Sequence, residues 1–345
     1  MESIFKQKYR EEIKKFISDF LLTKENEFID ASLLTKETYK RLLEFSTSGK
    51  LVRGSLVLFI YENEKKEITQ EAIATAAALE LIHSSFLIHD DIMDQDHKRR
   101  GQDTIYEQYI QSGIQNNFID AKQYGQSLGI CVGDLGYFLG FELLSQYAST
   151  IVTNFCSKEF SKVTLAQMQD VYNGYTNSEL SEETILHVYK FKTGRYTFSV
   201  PFVVGCLLAN KSKDIKLLET IGEDLGILFQ LKDDELGIFG TEEVIGKSIG
   251  GDIKENKKTI IRKKLYEKIN ANEEKNIKNI FGNKNASNKD IEFVLDLIKK
   301  YNIKKDIEIF WEKYQNALME KCKSFDKFLE SAIYSLIAYN KNRTK

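Results

Sequence analysis

From Ser55 to Arg100 the chain runs without a glycine or a proline, and after Thr69 it is dense in alanine, leucine and isoleucine. Such a stretch reads as one long, heavily buried helix. Thr69 is placed to cap it and Glu71 falls in its first turn. Lys98, Arg99 and Arg100 precede Gly101 and read as a basic end complementing the helix dipole. Apolar residues at helical spacing predict further helices over roughly Ser127–Ala148, Asn154–Tyr172, Glu183–Ala209 and Ile215–Gly237. From about Lys263, lysine, asparagine and glutamate punctuate amphipathic stretches such as Asp290–Lys300 and Ile307–Phe328. These are expected to wrap the bundle rather than form a site. No repeat of fixed period and no low-complexity linker interrupts the pattern.

Composition sharpens the fold class. A single proline, Pro201, among 345 residues argues against turn-rich β architecture, so the chain is expected to be all-α. With 42% hydrophobic residues and no compositional break, one large domain over residues 1–345 is the default. Forty-nine basic and fifty-one acidic residues give a net charge of −2, which offers no bulk attraction for nucleic acid or an anionic membrane. Met1 to Leu22 scatters charge through its apolar positions, so neither a signal core nor a membrane span is read there, and a cytoplasmic protein is expected. Cys131, Cys156, Cys206 and Cys322 form no CxxC pair and fit reduced, packed thiols.

The chemistry lies in two acidic motifs. In His89-Asp90-Asp91-Ile92-Met93-Asp94, Asp90 and Asp94 fall on one helical face a turn apart, where two like charges invite a cation. A few hard carboxylate oxygens suit Mg²⁺, whose shell is completed by water and phosphate. The second motif, Gln230-Leu231-Lys232-Asp233-Asp234, follows an apolar helix whose Gly222 and Gly226 are costly unless close packing needs them. Downstream stand Gly246-Lys247, Gly250-Gly251-Asp252 and Asn256-Lys257-Lys258-Thr259. Two such acidic clusters could hold several Mg²⁺ around one diphosphate, with Lys192, Lys247 and Lys257 supplying further positive charge.

In these motifs the chain resembles the trans-isoprenyl diphosphate synthase family over roughly residues 50–259. The elements in register are Gly49-Lys50-Leu51-Val52-Arg53, Glu80-Leu81-Ile82-His83, the first acidic motif with Arg99-Arg100-Gly101, and Gly133-Asp134. Gln167-Met168-Gln169-Asp170, Lys192-Thr193-Gly194 and the second motif with its lysine tail follow. The resemblance implies a helical bundle around a central cavity, working as a homodimer. It implies Asp90, Asp91, Asp94, Asp233 and Asp234 as metal residues, and Arg99, Lys192 and Lys257 as contacts to an allylic diphosphate. Lys50, Arg53, His83 and Arg100 match the metal-free pocket for isopentenyl diphosphate, where side chains alone meet the charge. Thr193 and Gln230 match groups beside a developing carbocation, while Gln167, Asp170 and Asp252 are further candidates. Two departures stand out: Gly237 replaces a third aspartate found in many members, though not all, and Ala166 replaces a glycine.

The implied reaction is ionisation of the allylic diphosphate, attack by the double bond of isopentenyl diphosphate, and loss of a proton to the released pyrophosphate. A class I terpene cyclase would need Ser or Thr and Glu where Gly237 and Thr241 stand. A non-catalytic partner subunit would not need both acid clusters. Product length depends on how far the growing tail extends past Asp90. Farnesyl-type members commonly carry an aromatic side chain at the position of Ser85, and serine is expected to leave room there. Phe86, one turn before Asp90, is the next obstruction, which predicts a C20 product, geranylgeranyl diphosphate, ahead of C15.

Overall fold

The structure is a computed structural model that describes residues 7–211, 214–239 and 250–343. Its described residues are almost entirely helical, as the single proline and the helical periodicity predict. The chain divides into two compact units. One is built from the residues up to Ser157 together with Pro201–Ile215, and the other from Lys158–Val200 with the chain from Lys216 onward.

The first unit is organised by helices α1 (Gln7–Glu27), α2 (Thr35–Thr47), α3 (Val52–Lys65), α4 (Gln70–Asp94), α5 (Ile105–Gln115) and α6 (Ala121–Tyr147). Helix α4 starts where its cap predicts, with the Thr69 side chain accepting from the Ala72 amide. It packs against α1, α3 and α6, and its alanines 72, 74, 76, 77 and 78 are buried. Although α4 and α6 are long and apolar enough to cross a membrane, 78% of the apolar window of α4 is buried within the protein. Such burial marks a core helix. On α6, glycines recur at 133, 136 and 140. An added Cβ there would come within 2.2 Å of His89, 2.3 Å of Ser85 and 2.5 Å of Ile82. Each glycine costs about 1 kcal/mol of helix propensity. In return, side chains of α4 seat directly on the α6 backbone, and the site-bearing half of α4 is fixed against α6.

Helix α4 ends earlier than its sequence suggests. Gln95 takes a left-handed conformation and closes the helix through its amide to the Asp91 carbonyl. Lys98, Arg99 and Arg100 therefore do not form a basic last turn. Lys98–Arg99 (β1) pairs antiparallel with Gln102–Asp103 (β2), and Arg100 and Gly101 supply the turn with φ of 55° and 78°. Positive φ at both central residues matches the right-handed twist of a tight hairpin. The hairpin sends Arg99 back over the helix it follows.

The second unit contains most of α7 (Thr150–Tyr175), then α8 (Glu182–Val188), α10 (Ile215–Phe239) and the C-terminal helices. The expected single helix Glu183–Ala209 is present as three consecutive pieces: α8, an 11-residue π-helical segment Tyr189–Ser199, and α9 (Val200–Leu208). Expected helix Asp290–Lys300 is found as Asn288–Lys300, opened by a capping box between Ser287 and Asp290. The expected Ile307–Phe328 helix is instead Ile303–Cys322, and a separate helix, Lys327–Asn342, starts on the cap of Asp326.

Candidate active site

In the first unit α4, the β hairpin and the start of α3 converge on a basic patch beside an acidic face. Asp90 and Asp94 are both part-exposed at their one-turn spacing. Asp91 is fully buried. Arg99 donates to its Oδ1 from Nε at 2.6 Å, and a terminal guanidinium nitrogen lies 2.5 Å from the same oxygen and 3.7 Å from Asp90. Burial pushes the Asp91 carboxyl up and the Arg99 guanidinium pulls it back; the same pairing raises Arg99 against the cost of its own burial. Burial wins, and the Asp91 carboxyl is left raised to about 7. Asp91, expected among the metal residues, is thus committed to Arg99, because the hairpin delivers that arginine to the buried side of the helix.

Of the residues expected around isopentenyl diphosphate, Arg53, His83 and Arg100 lie close together. His83 lies among the charges of Arg53, Arg100 and Arg99; burial first, and then those arginines, hold its imidazole well below the usual range, so it is neutral. Gly49, beside Lys50, is placed so that an added Cβ would sit 2.9 Å from the Arg100 guanidinium, which also donates to Ser48 Oγ at 3.0 Å. Glu80 is buried beneath them, its Oε1 accepting from the Gly54 amide at 2.7 Å, and the charge of Arg53 opposes the rise that burial imposes on it. Clustered guanidiniums with a neutral imidazole among them make a basic patch, of the chemistry that can meet an anion with side chains alone.

Ser85 is placed differently from expectation. It is fully buried, its hydroxyl donates to the Leu81 carbonyl at 3.1 Å, and Gly136 of α6 is pressed against it. The neighbouring helix takes the space beside residue 85. Phe86 is part-exposed and packs edge-on against Tyr137, with ring centroids 5.1 Å apart.

The second unit gathers the other candidates along α7, the π-helical segment and α10. Lys192 Nζ donates to Asp170 at 2.6 Å, and Gln167 lies one turn earlier on the same helix. Thr193 Oγ1 donates to Gln230 Oε1 at 2.8 Å, and Gln230 Nε2 donates to Asp234 Oδ1 at 3.0 Å. Asp234 is buried and also accepts from the Tyr189 hydroxyl, which in turn accepts from the Ile260 amide at 3.1 Å. Burial and then the charge of Asp252 push the Asp234 carboxyl up to about 8. Like Asp91, it is held by its neighbours. Asp233 is part-exposed and takes a 2.5 Å ion pair from Arg343. In each motif, then, one of the adjacent aspartates is an internal strut and the other is accessible.

Lys257 pairs with Glu255 at 2.8 Å and with Asp252 at 3.6 Å. A Cβ at Gly237 would lie 2.7 Å from Asp252 Oδ2, so the missing side chain leaves room for that carboxylate. Lys247 lies outside the described residues. Sequence reasoning missed Tyr189, Arg195 and Arg343. No pattern marks Arg343, which sits near the end of a chain segment expected only to wrap the bundle.

A family model described as polyprenyl synthetase matches residues 35–298. A geranylgeranyl diphosphate synthase of Sulfolobus acidocaldarius is 32% identical over 281 residues, 79% of this chain and 80% of that protein. One from Saccharolobus solfataricus is 30% identical, covering 90% of this chain and 92% of that protein. Among solved structures, a geranylgeranyl pyrophosphate synthase from Corynebacterium glutamicum, complexed with isoprenyl diphosphate and magnesium, superposes with a TM-score of 0.89. It is 26% identical, and the match covers 97% of this chain and 99% of that one.

Proposed function

Because the chain belongs to the polyprenyl synthetase family and makes short-chain prenyl diphosphates, we propose that it condenses isopentenyl diphosphate with allylic diphosphates in a Mg²⁺-dependent reaction ending at C20 geranylgeranyl diphosphate. The observation that carries this reading is the pairing of a part-exposed carboxylate face, Asp90 and Asp94, with the adjoining patch of Arg53, His83 and Arg100. One element offers hard oxygen ligands and the other an anion site.

The accessible aspartates fit Mg²⁺. Among the described residues no three acidic, histidine or cysteine side chains form a ready-made cage. That suits an ion which keeps several waters and takes one or two carboxylates plus substrate phosphates. Asp90 and Asp94 in one unit and Asp233 in the other are the candidate ligands, and a bound ion would neutralise charge on the leaving diphosphate. Lys192 and Lys257 now meet the carboxylates of Asp170, Asp252 and Glu255. Exchanging a carboxylate for a phosphate oxygen leaves each ammonium paired, and the part-exposed carboxylates so released are left to water. Thr193 fixes the Gln230 carbonyl by its hydrogen bond, presenting neutral oxygen dipoles to an allylic cation rather than a nucleophile. The released pyrophosphate takes the proton, and no side-chain base is needed. The homodimer belongs to the same proposal. Ile130 and Phe138 on α6, 47% and 74% exposed, are large apolar side chains of the kind a second copy would cover.

The two substrate pockets separate in kinetics. Arg53 is buried and its charge is the largest influence opposing the burial of Glu80, so Arg100 is the cleaner probe. Arg100→Ala should raise KM for isopentenyl diphosphate by about tenfold or more, as expected for one charge-assisted hydrogen bond, with KM for the allylic substrate nearly unchanged. Lys257→Ala should show the opposite bias. Equal shifts in both constants for both variants would mean the assignment is wrong.

Chain length rests on Phe86, since Ser85 is walled in by α6. Phe86→Ala removes a ring about 6 Å along the helix from Asp90 and should shift the main product from C20 to longer chains. Ser85→Phe should impair folding before it changes product. Chromatography of dephosphorylated products from C5, C10 and C15 starters tests the reading. An unchanged distribution in Phe86→Ala, or a wild-type product stopping at C15, would overturn the C20 assignment.

A further inference from the structure

The π-helical segment is fastened at intervals to α10. Tyr189 bonds Asp234, Thr193 bonds Gln230, and the Ser199 hydroxyl donates to the Glu219 carbonyl at 2.7 Å, so successive ties run antiparallel along the two elements. Between them the backbones nearly touch. A Cβ on Gly226 would lie 2.0 Å from Gly194 Cα, and one on Gly194 would lie 3.0 Å from the Glu223 carbonyl oxygen. Next to Gly194 stands Arg195, buried, with its guanidinium spread over carboxylates of two helices. Nε donates to Glu159 of α7 at 2.6 Å, one terminal nitrogen meets Glu223, and the other donates to Glu219 at 3.2 Å. Glu159 is itself buried and accepts from Lys162 at 2.7 Å.

A buried ionic network of this kind contributes little net stability compared with an apolar replacement, because each charge is stripped of water. What it supplies is geometry. An arginine's planar fork sets both its distance and its angle to several partners, which a point charge cannot do. Wide π turns are rare and concentrate at functional sites. Here the amide of Val200 bonds back to the carbonyl of Arg195, so the last wide turn of the segment closes on the gripped residue. If the segment relaxed to α-helical bonding, Lys192 and Thr193 would rotate away from Asp170 and Gln230.

We propose that Arg195, through Glu159, Glu219 and Glu223, is the positioning residue that holds Tyr189–Ser199 in its π-helical register and so aims Lys192 and Thr193 at the reacting diphosphate. The inference rests on the proposed prenyl transfer for its kinetic consequence, but its structural half stands apart from activity. Arg195→Lys keeps the charge and loses the fork, and Glu223→Gln removes one contact only. For Arg195→Lys, kcat should fall about tenfold or more, in keeping with the sensitivity of catalysis to small misplacements. KM for isopentenyl diphosphate should stay within about twofold and the helical melting temperature close to wild type. Glu223→Gln should lose less, in the same direction. Amide hydrogen exchange across residues 189–199 should quicken about tenfold in Arg195→Lys while α10 keeps its protection. Wild-type kcat at a native melting temperature, a loss that only tracks the folded fraction, or unchanged exchange in the segment would each overturn the inference. A wild-type enzyme that transfers no prenyl group would instead refute the functional reading, and the exchange experiment would still decide the clamp.

Discussion

Asp90→Ala should lower kcat by about 10²–10³-fold, the loss that follows removal of one preorganised electrostatic group, while the helical circular dichroism and melting temperature stay near wild type. The fold should tolerate the change because Asp90 is part-exposed and α4 is anchored by its buried alanines, leucines and isoleucines. Alanine also improves helix propensity and removes repulsion from Asp94 one turn away. Asp91→Ala provides the contrast. Its carboxylate is buried under Arg99, whose guanidinium would be left with its charge unmet on that side. Breaking such a pair is costly, so Asp91→Ala should lose stability as well as turnover, by about 3 kcal/mol. Turnover in Asp90→Ala close to wild type, in steady-state assays at saturating Mg²⁺, would sink the metal assignment.

Gly226→Ala sets two effects of opposite sign against each other. Helix propensity alone favours alanine by about 1 kcal/mol. The new methyl, however, would sit 2.0 Å from Gly194 Cα and 2.6 Å from Gly194 N, backbone atoms with no rotamer to give way. Restoring ordinary contact would push α10 from the π-helical segment by about 1.5 Å. Overpacking of that kind costs about 1–3 kcal/mol or more, so the steric term wins and the melting temperature should drop by several degrees. Turnover should fall with it, because the Thr193–Gln230 bond crosses the same contact. Gly174→Ala is the control. Its nearest neighbour would be a carbonyl at 3.5 Å, and the substitution should be tolerated. A Gly226→Ala protein as stable as wild type would contradict the close approach.

Much of this was legible in the residues, and the failures have physical causes. Thr69 announced the start of α4 because a cap is a local interaction; the end was misread because Gln95, in a left-handed conformation that sequence does not flag, stops the helix before the basic residues. The extra cost of Gly222 and Gly226 pointed to close packing, and Ser199 and Gly194 are what they pack against. The π-helical turn was invisible, since an apolar pattern does not separate i+4 from i+5 bonding over one segment. Within each acidic motif the spacing identified the chemistry but not which carboxylate turns inward. That depends on Arg99 and Tyr189, brought in by a hairpin and by a neighbouring helix. Arg343, at 110 residues from Asp233, carries no local signal at all.

The central claim is metal-dependent condensation. Purified protein is incubated with labelled isopentenyl diphosphate and an allylic diphosphate, with Mg²⁺ or with excess chelator, and prenyl product and released pyrophosphate are measured together. Label should enter a prenyl diphosphate only in the presence of Mg²⁺, with one pyrophosphate released for each isopentenyl unit added. Full incorporation in excess chelator, or no incorporation with Mg²⁺ present, would contradict it.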